Sequence, residues 1–232
     1  MDDLEIKMLD TLESYHWWYV IRKEYLISWA SGLPTGARIL DLGSATGGNT
    51  ILLRDLGFTV TSLEFSKVGV DIQVTKGINV IQGDARALPF VDNTFDAIIC
   101  LDVLEHIWED TQVLEEMRRV LEYKGKFLIT VPEDPKLWSS HDEAVNHVRR
   151  YSKKELATKV EKAGLSFSRI WSGNILLRPL IATARKFTSG SNAKPTNFIV
   201  NSLLLLICRF EKSLKITFLP GVTLWIEGVR DV

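Results

Sequence analysis

The sequence predicts an α/β protein with a doubly wound, mostly parallel sheet, and two observations carry this prediction. Short apolar runs alternate along the chain with segments of helical periodicity, the pattern of repeated βαβ units with right-handed crossovers. A glycine-rich turn over residues 43–48 separates one apolar run from the helix that follows it. The 232 residues, 46% hydrophobic and 25% charged, suffice for one such domain with appendages.

Residues 1–34 are predicted to form an N-terminal helical lid, since residues 4–30 repeat apolar side chains at helical spacing. Within them, residues 16–19 are His, Trp, Trp and Tyr, and Arg22 follows. Two interpretations of these rings remain open. They either pack on the sheet or cover a pocket, in which case Arg22 reaches an anionic group of a ligand.

Residues 35–171 are predicted to form the α/β core, in which strands and helices alternate up to Pro132. Residues 133–150 are predicted to be a polar loop. The predicted strands are residues 38–42, 59–64, 79–82, 96–101, 126–131 and 167–171. The predicted helices are residues 46–56 and 66–77, one that begins at Asp110 and one from Ser152 to Gly164.

Residues 172–232 are predicted to complete the same domain with an apolar helical insertion and a last strand. The helix is expected over residues 196–215 and the strand over residues 222–229. The helix is expected to be core or a homodimer face. Contact with a membrane surface is a minority interpretation, because the helix lacks a basic polar face.

Charge and cysteine content exclude several classes of protein. The formal net charge of −1 gives no overall attraction to nucleic acid or to an anionic membrane, so no nucleic-acid partner is expected. The two cysteines, Cys100 and Cys208, do not suggest a disulfide framework. The acidic start of the chain is unlike a signal peptide, and residues 203–207 are too short an apolar run to span a bilayer. We therefore expect a cytoplasmic protein.

Three carboxylates stand at the ends of successive predicted strands: Asp41, Glu64 and Asp84. Glu64 lies about twenty residues beyond the glycine turn, the distance at which an acid meets ribose hydroxyls in dinucleotide-binding proteins. A carboxylate there accepts hydrogen bonds from a vicinal diol, and Asp84 can accept from an exocyclic amino group such as that of adenine. The three acids therefore predict a pocket for an adenine nucleoside.

Taken together, these motifs resemble the class I S-adenosylmethionine-dependent methyltransferases over roughly residues 14–170. The matching stretches are residues 41–47, Glu64, residues 83–85, residues 93–96 and residues 102–106. The resemblance implies a Rossmann-like, seven-stranded sheet whose last strand is antiparallel. The aromatic opening is similar to that of a subgroup of small bacterial and archaeal members, in which it would form the lid.

The resemblance also implies roles for single residues. The glycine loop would lie along the methionine and ribose of S-adenosylmethionine, Glu64 would hold the ribose, and Asp84 with Ala85 would hold the adenine. The cofactor-binding residues expected on this basis are Trp18, Arg22, Asp41, Gly43, Ser44, Ala45, Gly47, Asn49, Glu64, Phe65, Asp84, Ala85, Leu101, Asp102 and Val103.

One position of the loop departs from the family pattern, because Ala45 replaces the middle glycine. The spacing Gly43, Ala45, Gly48 is also a variant of the dinucleotide fingerprint. A nicotinamide-dependent oxidoreductase is therefore the alternative enzyme. A non-catalytic module that binds the nucleoside, or acts as a partner subunit, is the alternative from outside the enzymes.

Methyl transfer from a sulfonium needs a well-placed acceptor and, for a hydroxyl acceptor, a base. The candidate bases are His106, His141 and His147, and His106 and His147 are predicted to be catalytic. Asp102, Glu105 and His106 with a later histidine resemble the magnesium site of some quinone- and RNA-end-modifying methyltransferases. Relatives with the same residues have no known metal, so no metal ligand is assigned and magnesium remains an alternative.

The sequence thus predicts an enzyme that transfers a methyl group from S-adenosylmethionine and leaves S-adenosylhomocysteine. The acceptor is expected to be a small molecule, a sugar or a lipid-linked compound. Which acceptor it is, and which atom is methylated, cannot be inferred from the residues.

Overall fold

The chain folds around a seven-stranded sheet with the strand order β3-β2-β1-β4-β5-β7-β6. The computed structural model describes residues 3–187, 195–214, 216 and 219–231. The strands are β1 Arg38–Leu42, β2 Thr59–Glu64, β3 Val80–Gln82, β4 Phe95–Leu101, β5 Leu121–Pro132, β6 Ser166–Gly173 and β7 Thr223–Val229. The predicted fold class is confirmed, and every predicted strand is present.

β1 to β5 are parallel, and β7 runs antiparallel between β5 and β6. β4 lies in the middle of the sheet and is buried on both faces, which explains its continuous apolar run. β5 begins earlier than predicted, at Leu121 rather than Lys126, and its register with β4 shifts between Phe95 and Ala97. This irregularity accommodates the turn residues that the sequence places before the strand.

The helices are α1 Asp3–Leu12, α2 Trp17–Ala30, α3 Gly48–Asp55, α4 Lys67–Thr75, α5 Asp110–Val120, α6 Ser140–Ala144, α7 Lys153–Lys162, α8 Arg178–Phe187 and α9 Phe198–Leu214. The segment over residues 4–30 is helical as predicted, but as two helices, because the chain breaks before His16, whose side chain caps α2. The predicted loop over residues 133–150 also contains a helix, α6. Ser139 and Asp142 form a capping box that stabilises its start.

The N-terminal segment packs against the C-terminal insertion as well as on the sheet. Trp17 and Ile21 of α2 form a cluster with Leu177 and Cys208, while Leu26 of the same helix joins the core beneath β1. Part of α2 therefore packs on the sheet, as the first interpretation expects, and the aromatic lid over a pocket remains a prediction. Cys100 and Cys208 are buried and free.

α9 exposes an apolar face that no described residue covers. The side chains are Phe198, Ile199, Val200, Leu203, Leu206, Phe210 and Leu214. The homodimer through this region remains a prediction. Among the described helices, none combines the length and the apolar character needed to cross a bilayer.

Candidate functional site

The glycine loop lies at the carboxyl end of β1, at the centre of the parallel sheet. Gly43 has a φ of +74°, and a Cβ built there would lie 2.4 Å from Cγ2 of Val103. Gly47 has a φ of +82° and directly precedes α3. Both positions require glycine, and the contact with Val103 ties the loop to the end of β4.

Ala45 adopts the left-handed conformation, with a φ of +48°. Its N–H donates to Oε2 of Glu64 at 2.7 Å, and its carbonyl accepts from Nε2 of Gln73 at 2.9 Å. These two bonds hold a non-glycine residue in a conformation that costs about 1–2 kcal/mol. The structure thus explains how the loop tolerates a methyl group at this position.

Glu64 lies at the carboxyl end of β2 and is 8% exposed. Its Oε1 accepts from the N–H of Ser66 at 2.7 Å, while its Oε2 accepts from Ala45. Burial outweighs these bonds and raises the pKa of the carboxyl group. A carboxylate has about four lone-pair positions, so the two oxygens retain acceptor capacity for a pair of hydroxyls.

Asp41 is almost fully buried and faces α3. Its Oδ2 accepts from Oγ1 of Thr50 at 2.6 Å, and burial raises its pKa to about 7. At neutral pH the protonated and ionised forms of this carboxyl group are therefore similar in free energy. Its position beneath the loop differs from that of Glu64, which forms part of the loop's own hydrogen bonding.

The side chain of Ser44 points into the protein. Its Oγ accepts from Oγ of Ser62 at 2.6 Å and from Nε2 of Gln73 at 2.8 Å. The side chains of Ser44, Ser62 and Gln73 thus bind one another, and the cofactor contact expected for Ser44 remains a prediction. Gln73 was missed; the signal was a polar residue on the inner face of α4.

Asp84 follows β3 and forms a two-pronged ion pair with Arg86. Nη2 of Arg86 donates to Oδ2 at 2.7 Å and Nε donates to Oδ1 at 3.1 Å. The bonds from Arg86 lower the pKa of Asp84. Ala85 beside it is buried, whereas Phe65 is 71% exposed at the end of β2. The aromatic ring of Phe65 is thus exposed next to Glu64 and Asp84.

Arg22 connects α2 with the ends of β4 and β5. Its Nη2 lies 2.5 Å from both Oδ2 of Asp102 and Oγ1 of Thr130, and its guanidinium lies over the rings of Trp18 and Trp225. Its Nη1 is buried, and no described residue accepts a hydrogen bond from it. α2 therefore presents a cationic donor without an acceptor among the described residues, at the edge of the sheet where the glycine loop lies.

Asp102 has a φ of +57°, so the chain turns sharply after β4 and leads into a short 3₁₀ turn, Leu104–His106. Thr130 holds this conformation from both sides: its Oγ1 donates to Oδ1 of Asp102 at 2.9 Å, and its carbonyl accepts from the N–H of Asp102 at 3.0 Å. Leu101 and Val103 flank the turn and are half-buried, and Asn49 lies half-buried in the first turn of α3.

His106 and His147 come together, with ring centroids 4.9 Å apart. The carbonyl of Asn146 accepts from Nδ1 of His106 at 3.1 Å, so Nε2 carries the free lone pair. Burial, and then the neighbouring His147, lower the pKa of His106 to about 4. His106 is therefore neutral at physiological pH but only a weak base.

His147 has the better-organised ring. Its Nδ1 donates to Oδ1 of the buried Asp142 at 2.9 Å, which leaves Nε2 as the acceptor. Nε of Arg150 donates to the same oxygen at 2.8 Å and secures the carboxylate. A buried carboxylate that orients a histidine is the arrangement of many general bases. Asp142 was missed, because nothing in the sequence connects it to a histidine five residues away.

The structure allows a test of the magnesium alternative. One ligand atom each from Glu105, His106 and His147 lies within 4.8 Å of the other two. Two imidazole nitrogens and one oxygen suit a transition metal better than magnesium, which prefers oxygen ligands. The further oxygen that magnesium would need, from Asp102, is paired with Arg22. As arranged, these residues do not fit magnesium.

Comparisons with known proteins now bear on this site. Residues 40–129 match the family model described as a methyltransferase domain. The demethylmenaquinone methyltransferase of Renibacterium salmoninarum is 38% identical over 104 residues, which are 43% of each protein. The glycine/sarcosine/dimethylglycine N-methyltransferase of Actinopolyspora halophila is 38% identical over 104 residues, 41% of this chain and 18% of that protein.

Among solved structures, a chain of the complex between the Trm112 methyltransferase activator of Haloferax volcanii and a methyltransferase superposes with a TM-score of 0.67. It is 19% identical, and the alignment covers 99% of this chain and 94% of that one. This likeness concerns the fold alone. The chain spans less than half the length of the two curated relatives described above, so their acceptors are not transferred to it.

Proposed function

We propose that this chain is a class I S-adenosylmethionine-dependent methyltransferase. In this proposal it binds S-adenosylmethionine along the glycine loop and methylates a small acceptor. The observation that carries the proposal is the hydrogen bonding of Glu64. Its carboxylate fixes the loop through Ala45 and Ser66 and keeps lone pairs for ribose hydroxyls.

The remaining residues fit the cofactor at its two ends. At the adenine end lie the exposed ring of Phe65 and the carboxylate of Asp84. At the methionine end, the buried Nη1 of Arg22 has no acceptor among the described residues. A buried guanidinium donor without a partner is costly, and the carboxylate of the methionine moiety would satisfy it.

The cofactor would supply an activated methyl group on a sulfonium, so the protein's task is to place the acceptor and to take its proton. Nε2 of His147, held by Asp142, is the group we propose as the base. His106 lines the same space as a neutral ring, because its pKa of about 4 keeps it unprotonated. Asp102, held by Arg22 and Thr130, would form the base of the space in which the acceptor binds.

For the acceptor we propose a small molecule, with quinones and small amines as the first compounds to test. The relatives named above are methyltransferases of demethylmenaquinone and of glycine derivatives, and each aligns with this chain over 104 residues. The apolar side chains exposed on α9 are compatible with a lipid-linked acceptor or with a second copy of the chain.

Calorimetry with S-adenosylhomocysteine and, separately, with NAD tests the proposal. We expect S-adenosylhomocysteine to bind and NAD to give no saturable heat. Glu64→Gln should weaken the binding of S-adenosylhomocysteine at least tenfold. Binding of NAD alone would support the oxidoreductase alternative and contradict the proposal. Tight binding without turnover of any acceptor would favour a non-catalytic module.

A further inference from the structure

Two arginines of α8 face the body of the protein with unused donors. Arg178 and Arg185 are seven residues apart and therefore lie on the same side of the helix, two turns from each other. Nε of both residues and Nη1 of Arg185 are buried, and no described residue accepts a hydrogen bond from them. Such donors are expensive to leave unpaired, and more so on a charged group.

The two arginines differ in their counter-ions. Arg178 forms an ion pair with Asp134. For Arg185, Asp142 is the carboxylate among the described residues whose charge raises its pKa, and the oxygens of Asp142 already accept from His147, Arg150 and Ser139.

Arg150 is a second cation near Arg185. Burial, and then Arg150, lower the pKa of Arg185 to about 10. Arg185 is therefore a half-buried cation that forms no ion pair with a carboxylate of the described residues, and another cation acts on it.

Three imidazoles form a row near Arg185. The ring centroid of His141 is 6.3 Å from that of His147, which is 4.9 Å from that of His106. Burial, and then the charge of Arg185, lower the pKa of His141 to about 4. The row thus leads from His106 to His141, the imidazole that the charge of Arg185 influences.

We propose that Arg185 binds an anionic group of the methyl acceptor, a carboxylate or a phosphate. The acceptor is therefore a small acid, which among the compounds proposed above favours an amine that carries an acid group over a quinone. The inference rests on the proposed function, because that function places the methyl group beside His106 and His147. A guanidinium suits this role, since it presents two parallel N–H donors to a carboxylate or phosphate.

In the reaction, the anionic group stays unchanged while the nucleophilic atom of the acceptor reaches His147. A bond forms between that atom and the methyl carbon, the carbon–sulfur bond breaks, and its electron pair stays on sulfur. The proton that the acceptor loses passes to Nε2 of His147. Arg185 acts by position and charge, outside the bonds that change.

Anion binding tests the proposal directly. Protein saturated with S-adenosylhomocysteine is titrated with inorganic phosphate and, in a second series, with acetate, followed by calorimetry. We expect at least one anion to bind saturably, and Arg185→Gln to weaken it tenfold or more. Arg169→Gln, on an exposed arginine of β6, is the matched control and should bind like wild type. The preferred anion distinguishes a phosphate ester from a carboxylic acid.

Stability supplies the second test. In anion-free buffer, Arg185→Met should melt at the wild-type temperature or above it, because the change removes an unpaired buried charge. Phosphate or acetate should raise the melting temperature of wild type but not of Arg185→Met. A variant that melts lower in anion-free buffer would assign Arg185 a structural role and overturn the proposal.

Equal anion binding by wild type and Arg185→Gln, or no binding by either, would also overturn it. The affinity for S-adenosylhomocysteine should be the same in both proteins, since Arg185 lies outside the cofactor residues. If wild type failed to bind S-adenosylhomocysteine, the proposed function would be contradicted, whatever the anions do. The two failures are therefore distinguishable.

Discussion

The main-chain N–H of Ala45 donates a 2.7 Å hydrogen bond to the carboxylate of Glu64. The end of β2 and the glycine loop after β1 therefore hold each other before any ligand binds. The residue that the sequence places at the ribose is also the residue that shapes the loop. Substitutions at either position should affect both stability and binding.

Glu64→Gln should lower the free energy of unfolding by about 1–2 kcal/mol, because the amide NH2 of glutamine cannot accept from one of the two N–H groups that Glu64 holds. Chemical denaturation measures this change. Glu116→Gln is a matched control, since Oε2 of Glu116 also accepts from a main-chain N–H, that of Leu88 at 2.7 Å. The control should lose similar stability and retain cofactor affinity. Equal affinity in both variants would contradict a ribose role for Glu64.

Ala45→Gly should stabilise the protein by up to about 1 kcal/mol, because glycine adopts a positive φ without the strain of a Cβ. Thermal or urea unfolding measures the gain. Ala184→Gly, at an exposed site of α8, should instead cost about 1 kcal/mol, as glycine does within helices. A loss of stability in Ala45→Gly would show that the methyl group makes contacts that outweigh the strain.

Asp41 should make stability depend on pH. Its folded pKa of about 7 lies above the unfolded value of 3.8, so the wild type loses stability as the pH rises through 7. Asp41→Asn removes this loss. The stability of the variant relative to wild type should therefore grow between pH 4 and 7 and level off above it, by a total on the order of 4 kcal/mol. A difference independent of pH would contradict the raised pKa.

His147→Asn should slow methyl transfer to an acceptor that loses a proton by about 10²–10⁴-fold, the range for a general base. The measurement is single-turnover transfer from labelled S-adenosylmethionine. His106→Asn should cost less, because the lowered pKa of His106, about 4, makes it a weak base. His16→Asn, which keeps an N-cap on α2, is the control and should transfer at the wild-type rate. Full activity in His147→Asn would exclude it as the base.

Magnesium should not restore or raise turnover in protein treated with a chelator, because Asp102 is engaged by Arg22 and two of the three clustered donors are imidazoles. Activity with and without EDTA, followed by addition of magnesium, measures this. Loss of activity with recovery on magnesium would reinstate the magnesium alternative and require Asp102 to leave Arg22.

Sequence reasoning located the parts of the site that depend on strand ends. Asp41 and Glu64 lie near the carboxyl ends of β1 and β2, Asp84 follows β3, and parallel strands bring these ends to one edge. It could not find Gln73 or Asp142, since their roles depend on which helix face turns inward and on contacts between distant loops. Arg86 was missed for a different reason: an arginine two residues from an acid is common on surfaces and carries no distinguishing signal.

The place of β7 in the sheet has a consequence for biosynthesis. β7 is the last strand of the chain to leave the ribosome, yet it lies between β5 and β6 and pairs with both. Until it arrives, β5 has an open hydrogen-bonding edge and β6 has no partner, although all residues of the glycine loop and the histidine pair have already been made. A nascent chain that pauses before residue 223 therefore carries the whole candidate site on an unfinished sheet, and it is at that stage that we expect chaperones to bind it.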